Sequence, residues 1–232
     1  MNKAKNLAII QARMGSSRLP GKALLPINNI PIIEWILIRV SMSAKLDDFV
    51  FAIPDTSIDQ PLYDFLTSKN VNVYRGNEDD VLTRFYETAK KFNGGNIIRI
   101  CGDNPFIDPV SIDKLIQFFE EKDCSYGYNH IPRENRYPDG AGAEIVDLKT
   151  LEKVNNGAKT EEQREHIFNY IWDNPQLFDI QTFDPNEEWL MRPDLRLDID
   201  TREDYDDYND LQLTPYADMK DIIAYRDKKL DF

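Results

Sequence analysis

The sequence contains very little cysteine or histidine and no long apolar run. Cys101 and Cys124 are its only cysteines, and His130 and His166 are its only histidines. So few and so widely spaced ligands exclude a disulfide framework and argue against a structural zinc site. No apolar run approaches the roughly 20 residues that a membrane span needs. We therefore expect a protein without disulfides and without a membrane partner.

A secretory signal is also not evident, because the opening residues MNKAKNLAII become polar too quickly. Together with the scarcity of cysteine, this predicts a cytoplasmic location. The 232 residues show no internal repeat and no break in composition. We expect one domain over residues 1–232, with a lid-like insertion around residues 124–146 that is rich in Gly, Pro and aromatics.

Acidic residues are absent before Glu34, although the whole chain carries a net charge of −13. The same span holds five cations: Lys3, Lys5, Arg13, Arg18 and Lys22. The overall acidity argues against a nucleic-acid partner, which would require a basic face. A local cationic site in an anionic protein suggests a small, highly charged anion as the ligand.

Short apolar runs alternate with helical patterns over the first 120 residues. The runs predict strands at 6–12, 49–53, 71–74 and 96–100, and the helical patterns fall at 31–44, 57–69, 79–92 and 109–121. This alternation predicts an α/β fold with a doubly wound, mostly parallel sheet and helices on both faces. Further along, we predict one helix over 159–173, a strand at 195–200 and a capping box formed by Thr201 and Asp204.

The loop after the first predicted strand, within IIQARMGSSRLPGK, has the composition of a phosphate site. Ligands of open α/β sheets lie beyond the carboxyl ends of the strands. The loop offers two glycines for close backbone approach, two serine hydroxyls and three cations suited to phosphate oxygens. These residues are Arg13, Gly15, Ser16, Ser17, Arg18, Gly21 and Lys22. A triphosphate is the natural candidate ligand.

Neither common phosphate-loop motif is present. Five residues separate Gly15 from Gly21, and Ala23 follows Lys22, so the loop is not a Walker A motif. It also lacks the dinucleotide pattern G-x-G-x-x-G. A solvated turn that happens to carry cations remains the alternative.

Aspartates follow two of the predicted strands. Asp103 follows the strand at 96–100, and Asp198 and Asp200 share one face at the end of 195–200. Carboxylates opposite a cationic phosphate loop suit Mg²⁺ or Mn²⁺ bound to a nucleotide. The alternatives are a turn-forming role for Asp103 and a helix-capping role for Asp200.

The segment QARMGSSRLPGK resembles the nucleotide-binding signature of the cytidylyltransferases that activate sugar acids, including the acylneuraminate and deoxy-manno-octulosonate enzymes. The likeness is greatest to the spore-coat-polysaccharide branch. It continues in order through VYRGNEDDVLTRF, RICGDNPFIDP, RYPDG, REH and LRLDIDTREDY. The resemblance implies a fold of the nucleotide-diphospho-sugar transferase type, a homodimer and CTP as the substrate.

The resemblance also implies residue roles. Mg²⁺ (or Mn²⁺) would be held by Asp103 and Asp200, with Asp198 beside them, and Arg13 and Lys22 would act with the two ligands in catalysis. The implied nucleotide contacts are Gln11, Ala12, Arg13, Gly15, Ser16, Ser17, Arg18, Lys22, Pro54, Asp55, Arg75 and Gly102.

On the acceptor side, Asp139 and Glu144 are expected to bind hydroxyls, and Arg164 and His166 a carboxylate or phosphate. A structural role for His166 is the alternative. Residues 141–143 carry no acid where the family often has one, so the sequence leaves the acceptor unidentified.

The expected reaction is transfer of CMP from CTP to an acidic sugar or related acceptor, with release of pyrophosphate. Three alternatives remain open: a glycosyltransferase of the same fold, a nucleotidyltransferase using another nucleoside triphosphate, and a non-catalytic nucleotide-binding regulator. No second acid follows Asp103 at two residues, which argues against the glycosyltransferase.

Overall fold

Residues 4–230 are described by the structure, a computed structural model, so Lys3 of the cationic cluster lies outside the described residues. Within them the strands are β1 (Asn6–Gln11), β2 (Pro26–Ile27), β3 (Ile30–Pro31), β4 (Asp48–Pro54), β5 (Asn72–Gly76), β6 (Asn96–Cys101), β7 (Tyr126–Tyr128), β8 (Glu144–Asp147) and β9 (Ile180–Thr182). The helices are α1 (Ile32–Ser41), α2 (Gln60–Ser68), α3 (Val81–Lys91), α4 (Pro109–Lys122), α5 (Leu148–Gly157), α6 (Glu161–Glu165), α7 (Asn169–Asp173), α8 (Arg202–Asp206) and α9 (Met219–Leu230).

Seven strands form one sheet in the spatial order β5-β4-β1-β6-β8-β7-β9, and β2 pairs with β3 separately. β1 is parallel to β4 on one side and to β6 on the other. β8 is antiparallel to both of its neighbours, and β9 is parallel to β7. The prediction of a mostly parallel, doubly wound sheet is confirmed.

The strand order reverses at β1. The chain moves outward from β1 to β4 and β5, then returns to place β6 on the other side of β1. Connections that diverge from neighbouring strand ends leave a crevice at the carboxyl edge of the sheet. The residues that leave this edge are Ala12 after β1 and Gly102 and Asp103 after β6.

Both faces of the sheet are covered by apolar packing, as expected for strands that are buried on two sides. Along β1, Ala8 and Ile10 join a core cluster that includes Ile112 of α4. Leu7 and Ile9 point to the opposite cluster, which includes Leu82 of α3. The alternation confirms helices on both faces. Within residues 4–230, no helix has the length and apolar character of a membrane span.

The segment 124–146 includes β7 and the start of β8, and both strands belong to the main sheet. The lid-like character of the connection between them remains a prediction. The capping box of Thr201 and Asp204 is confirmed at the start of α8.

Two predicted elements are wrong. The helix over 159–173 is interrupted between α6 and α7, because the backbone becomes extended at His166, after which Ile167 and Phe168 are buried in the core. Residues 195–200 form no strand. Their β-pairing within the described residues is a single bridge between Asp139 and Arg196. It extends no further because the segment that contains Asp139 turns away at Gly140, where φ is 84°.

Candidate active site

A cavity of about 170 Å³ lies at the carboxyl ends of β1 and β6, in the crevice between the connections that leave these two strands. Its lining residues are Gln11, Ala12, Arg13, Ser16, Ser17, Arg18, Lys22, Val81, Arg84, Gly102, Asp103, Glu165, His166 and Asp200. All of these except Val81, Arg84 and Glu165 were predicted as site residues. The cationic loop and the two aspartates of the sequence analysis therefore meet around one cavity.

The loop from Ala12 to Gly21 is closed by its own backbone. The carbonyl of Met14 accepts hydrogen bonds from the amides of Ser16 at 2.9 Å and Gly21 at 3.1 Å. Gly21 has φ of 73°, a left-handed conformation that glycine adopts without strain. The amide of Met14 donates to Oδ1 of the buried Asp59 at 2.7 Å. These bonds anchor the loop over the cavity.

Lys22 lies between the two predicted metal ligands. Its ammonium Nζ is 2.9 Å from Oδ1 of Asp200 and 3.2 Å from Oδ2 of Asp103, and it donates to the carbonyl of Ile199 at 3.1 Å. Arg18 Nη2 reaches the other oxygen of Asp200 at 2.8 Å. The cationic loop thus contacts the aspartate pair directly.

Charge pairing controls the protonation of this cluster. Burial opposes ionisation of Asp200, but Lys22, Arg18 and Arg196 together hold the pKa of this carboxyl below its ordinary value. Burial likewise opposes the charge of Lys22, but Asp103 and Asp200 raise the pKa of the ammonium above its ordinary value. Both groups are therefore charged at neutral pH.

Local backbone structure fixes the position of each aspartate. The amide of Ile199 donates to the carbonyl of Asp103 at 2.8 Å, which joins the segment before Asp200 to the exit of β6. The Asp204 carboxylate accepts from the Asp200 amide at 3.0 Å. Gly102 allows the strand ends to approach, because a Cβ there would lie 2.6 Å from the carbonyl oxygen of Gln11.

The donor set around Lys22 fits a hard divalent cation. Mg²⁺ is bound in proteins through one or two carboxylates, with water and substrate phosphates completing its shell. Asp103 and Asp200 converge on one cation already, and no cluster of three or more His, Cys, Asp or Glu side chains in residues 4–230 could hold a metal ion. A metal at this pair would therefore share its coordination with ligand oxygens.

Asp139 does not line the cavity, but its charge interacts with that of the aspartates. Burial, then Asp198 and Asp103, raise the pKa of Asp139 to about 6 despite the opposing effect of Arg196. Asp198 itself is paired with Arg196. At neutral pH, Asp139 is an ionised carboxylate held at an electrostatic cost.

Asp139→Asn is expected to stabilise the fold at pH 7 and to have little effect at pH 4. Because the folded pKa of Asp139 is raised, its proton favours the folded state, and stability is lost as pH rises between the ordinary pKa of 3.8 and about 6. Removing the charge recovers on the order of 1–2 kcal/mol of unfolding free energy by pH 7. Urea unfolding at the two pH values measures this, and an equal effect at both would contradict the sign.

Glu144, which was predicted to bind hydroxyls of the acceptor, is buried. It is 3% exposed and is engaged by Arg99 and by the hydroxyl of Tyr126, with Nε2 of His130 at 3.7 Å. Burial opposes its charge, but Arg99 holds the pKa of Glu144 below its ordinary value. This carboxylate stabilises the packing of β6, β7 and β8 rather than facing the cavity.

The predicted pair Arg164 and His166 separates. Arg164 binds the carboxylate of Asp80 through Nε at 2.9 Å and Nη2 at 2.7 Å, so its guanidinium is already occupied. His166 follows α6, in extended backbone, and lines the cavity. The break in the predicted helix is what directs His166 there. A neighbouring cavity of about 550 Å³ has Arg164, Asp80 and Lys159 in its wall.

The predicted base contacts lie elsewhere along the carboxyl edge. Arg75 pairs with Asp55 at 2.9 Å and donates to Gln60 at 2.6 Å. Pro54 ends β4, next to these residues, and neither it nor Gly15 lines the described cavity. Contact of these residues with the nucleotide remains a prediction.

An open, doubly wound α/β sheet with a cationic loop and paired aspartates at its switch point defines a nucleotide-binding site. Residues 7–229 match the family described as cytidylyltransferase. The chain therefore belongs to the cytidylyltransferase family, and it is a transferase that uses CTP. The glycosyltransferase alternative is not favoured.

Individual relatives agree with this assignment. The spore coat polysaccharide biosynthesis protein SpsF of Bacillus subtilis is 36% identical over 86% of this chain and 83% of its own. The 8-amino-3,8-dideoxy-manno-octulosonate cytidylyltransferase of Shewanella piezotolerans is 32% identical over 51% of this chain and 49% of its own. The structure of a cytidylyltransferase from Leptospira borgpetersenii superposes with a TM-score of 0.87 at 30% identity, covering 98% of this chain and 96% of that one. The predicted resemblance is confirmed.

Proposed function

We propose that the protein transfers CMP from CTP to an acidic sugar, releases pyrophosphate and depends on Mg²⁺ or Mn²⁺. The observation that carries this proposal is the contact of Lys22 with both Asp103 and Asp200 across one cavity. The names of the relatives support an acidic sugar acceptor and a role in making polysaccharide. A homodimer in the cytoplasm remains a prediction that light scattering and cell fractionation would test.

In the proposed reaction, an acceptor oxygen attacks the α-phosphorus of CTP as the bond to the pyrophosphate oxygen breaks. The acceptor gives up its proton to solvent water, and pyrophosphate leaves with the bonding electron pair. Arg13, Arg18 and Lys22 would bind the phosphate oxygens and stabilise the growing negative charge, a contribution that depends on preorganised donors. Asp103 and Asp200 would hold the metal ion, which when bound neutralises phosphate charge.

His166 and Glu165 line the same cavity beyond Arg13, at the end of α6. His166 is exposed, so its imidazole is accessible to a ligand and can donate or accept a hydrogen bond. We assign the acceptor to this side of the cavity, where His166 would orient an oxygen of its acidic group.

A pyrophosphate-release assay tests the proposed function. Four nucleoside triphosphates are crossed with sugar acids and sugar phosphates, with Mg²⁺, with Mn²⁺ and with EDTA. The expected result is release with CTP, an acidic sugar and a divalent cation only. Binding of CTP without turnover on any acceptor would favour a non-catalytic regulator, and turnover with a different triphosphate would contradict the nucleotide assignment.

A further inference from the structure

Arg84 is a buried arginine that lines the cavity and forms no ion pair with any residue from 4 to 230. It lies on α3 and is 2% exposed. Its hydrogen bonds within the described chain all come from Nη1, which donates to the backbone carbonyls of Asn77 and Glu78. Nε and Nη2 have no hydrogen-bond partner among the described residues. The guanidinium therefore has donors to spare on its cavity side.

Arg39 shows what a purely structural buried arginine looks like in this protein. It is 1% exposed and also lacks an ion pair within the described residues. Two of its nitrogens reach three carbonyls, those of Ile107, Pro215 and Ala217, at 2.6–2.9 Å. Arg39 thus uses both Nε and Nη1 on backbone carbonyls, and it does not line the cavity. Arg84 is buried to a similar extent, but only its Nη1 is hydrogen-bonded within the described chain, and it lines the cavity.

The cations that line the cavity differ in their pairing. Lys22 and Arg18 are paired with Asp200. Arg84 and Arg13 form no ion pair with any of the described residues. Burial, and then the nearby charge of Arg13, lower the pKa of Arg84 to about 10, although the carboxylates of Asp59, Glu78 and Asp80 oppose this shift. Two unpaired cations at a partly enclosed site repel each other, and an oxyanion between them would relieve that repulsion.

We propose that Arg84, together with Arg13, binds a phosphate oxyanion of the nucleotide tail in the cavity that Asp103 and Asp200 also line. This inference deepens the proposed function, on which it rests, by adding a buried arginine to the phosphate site. The tail is the favoured source of the oxyanion because Ser16, Ser17 and Lys22 of the cationic loop surround the same cavity. The adjoining cavity, which shares Arg13 and Glu165, leaves separate space for bulkier parts of the ligands.

Gly76 supports this placement of Arg84. A Cβ at Gly76, the last residue of β5, would lie 2.9 Å from Cγ of Arg84. Because Gly76 has no side chain, the aliphatic part of Arg84 can pass it and reach the cavity. The guanidinium hydrogen-bonds the loop at Asn77 and Glu78.

Calorimetric titration with inorganic pyrophosphate tests the inference without requiring turnover. Arg84→Gln is expected to weaken pyrophosphate binding about tenfold to a hundredfold, the range for losing hydrogen bonds to a charged group. The pyrophosphate affinity of Arg84→Lys, which keeps a cation, is expected to lie between that of wild type and that of Arg84→Gln. The matched control is Arg202→Gln, which removes an exposed arginine paired with Asp206 and is expected to leave the affinity unchanged.

Circular dichroism melting of each variant establishes that the folded state is present, and Arg84→Lys serves if the glutamine variant does not fold. A folded Arg84 variant that binds pyrophosphate as wild type does would overturn the inference, including the case in which only the acceptor KM rises. CTP turnover by wild type alongside that result would leave the proposed function intact. Arg84-dependent pyrophosphate binding without any CTP turnover would support the inference and contradict the proposed function.

Discussion

Lys22→Met is expected to lower kcat by about a hundredfold or more while the protein remains folded. The ammonium of Lys22 pairs with both aspartates, at 3.2 Å from Asp103 and 2.9 Å from Asp200, and the proposed reaction develops negative charge on the phosphate oxygens beside it. Methionine has similar length and fills the same space without the charge. Steady-state kinetics at saturating CTP separates this effect from weaker nucleotide binding.

Lys5→Met is the matched control for this experiment. Lys5 belongs to the same cationic N-terminal span and also pairs with an aspartate, Asp48, at 2.9 Å, but it precedes β1 at the opposite edge of the sheet. Its replacement is expected to leave kcat within about twofold of wild type because a partly exposed ion pair contributes little. Full turnover by Lys22→Met would remove the loop from the mechanism.

Asp200→Asn is expected to abolish measurable turnover and to weaken Mn²⁺ binding at least tenfold, since an amide is a much poorer ligand for a hard cation than a carboxylate. Asp200 has three cationic neighbours, Lys22, Arg18 and Arg196, so the substitution also leaves a local excess of positive charge. Electron paramagnetic resonance of free Mn²⁺ measures the affinity independently of activity.

Lys22→Met tests the same metal site through an expected effect of opposite sign on Mn²⁺ binding. In the absence of nucleotide, the ammonium competes with a divalent cation for the oxygens of Asp103 and Asp200. Its removal is therefore expected to tighten Mn²⁺ binding, although the same variant loses turnover. Asp206→Asn, at an exposed ion pair, is the carboxylate control. Unchanged Mn²⁺ affinity in both Asp200→Asn and Lys22→Met would exclude this pair as the metal site.

The part of the fold that builds the cavity is predictable because its signals are local. β1, β4 and β6 are short apolar runs, and the residues that follow such runs in a parallel sheet share one edge. The positions of Arg13, Lys22 and Asp103 after these runs are therefore enough to place them together.

The errors come from contacts between residues that are distant in the sequence. Glu144 is an acid of the kind that binds substrate hydroxyls. It is buried instead, because it forms an ion pair with Arg99, 45 residues away in the sequence. Apolar and polar side chains alternate over residues 195–200 as they do in a strand, but none of the seven strands of the sheet pairs with this segment. The local pattern of apolar and polar residues reveals neither the ion-pair partner of Glu144 nor the lack of a neighbouring strand for residues 195–200.

Arg84 was missed for a related reason. On α3 it lies at the border of the buried face, three residues after Val81, where an arginine side chain can still extend to solvent. Its burial depends on Gly76 and on the loop at Asn77, which the helix pattern does not reveal. The only sequence signal was its place at the end of VYRGNEDDVLTRF, a segment that resembles the family.

Diffraction from a crystal grown with CTP and Mn²⁺ tests the central claim most directly, because the anomalous signal locates the metal independently of the protein. We predict one Mn²⁺ bound by both Asp103 and Asp200, with Lys22 displaced onto the phosphate oxygens and the tail reaching Arg13. Phosphates outside this cavity, or a metal bound by neither aspartate, would contradict the account.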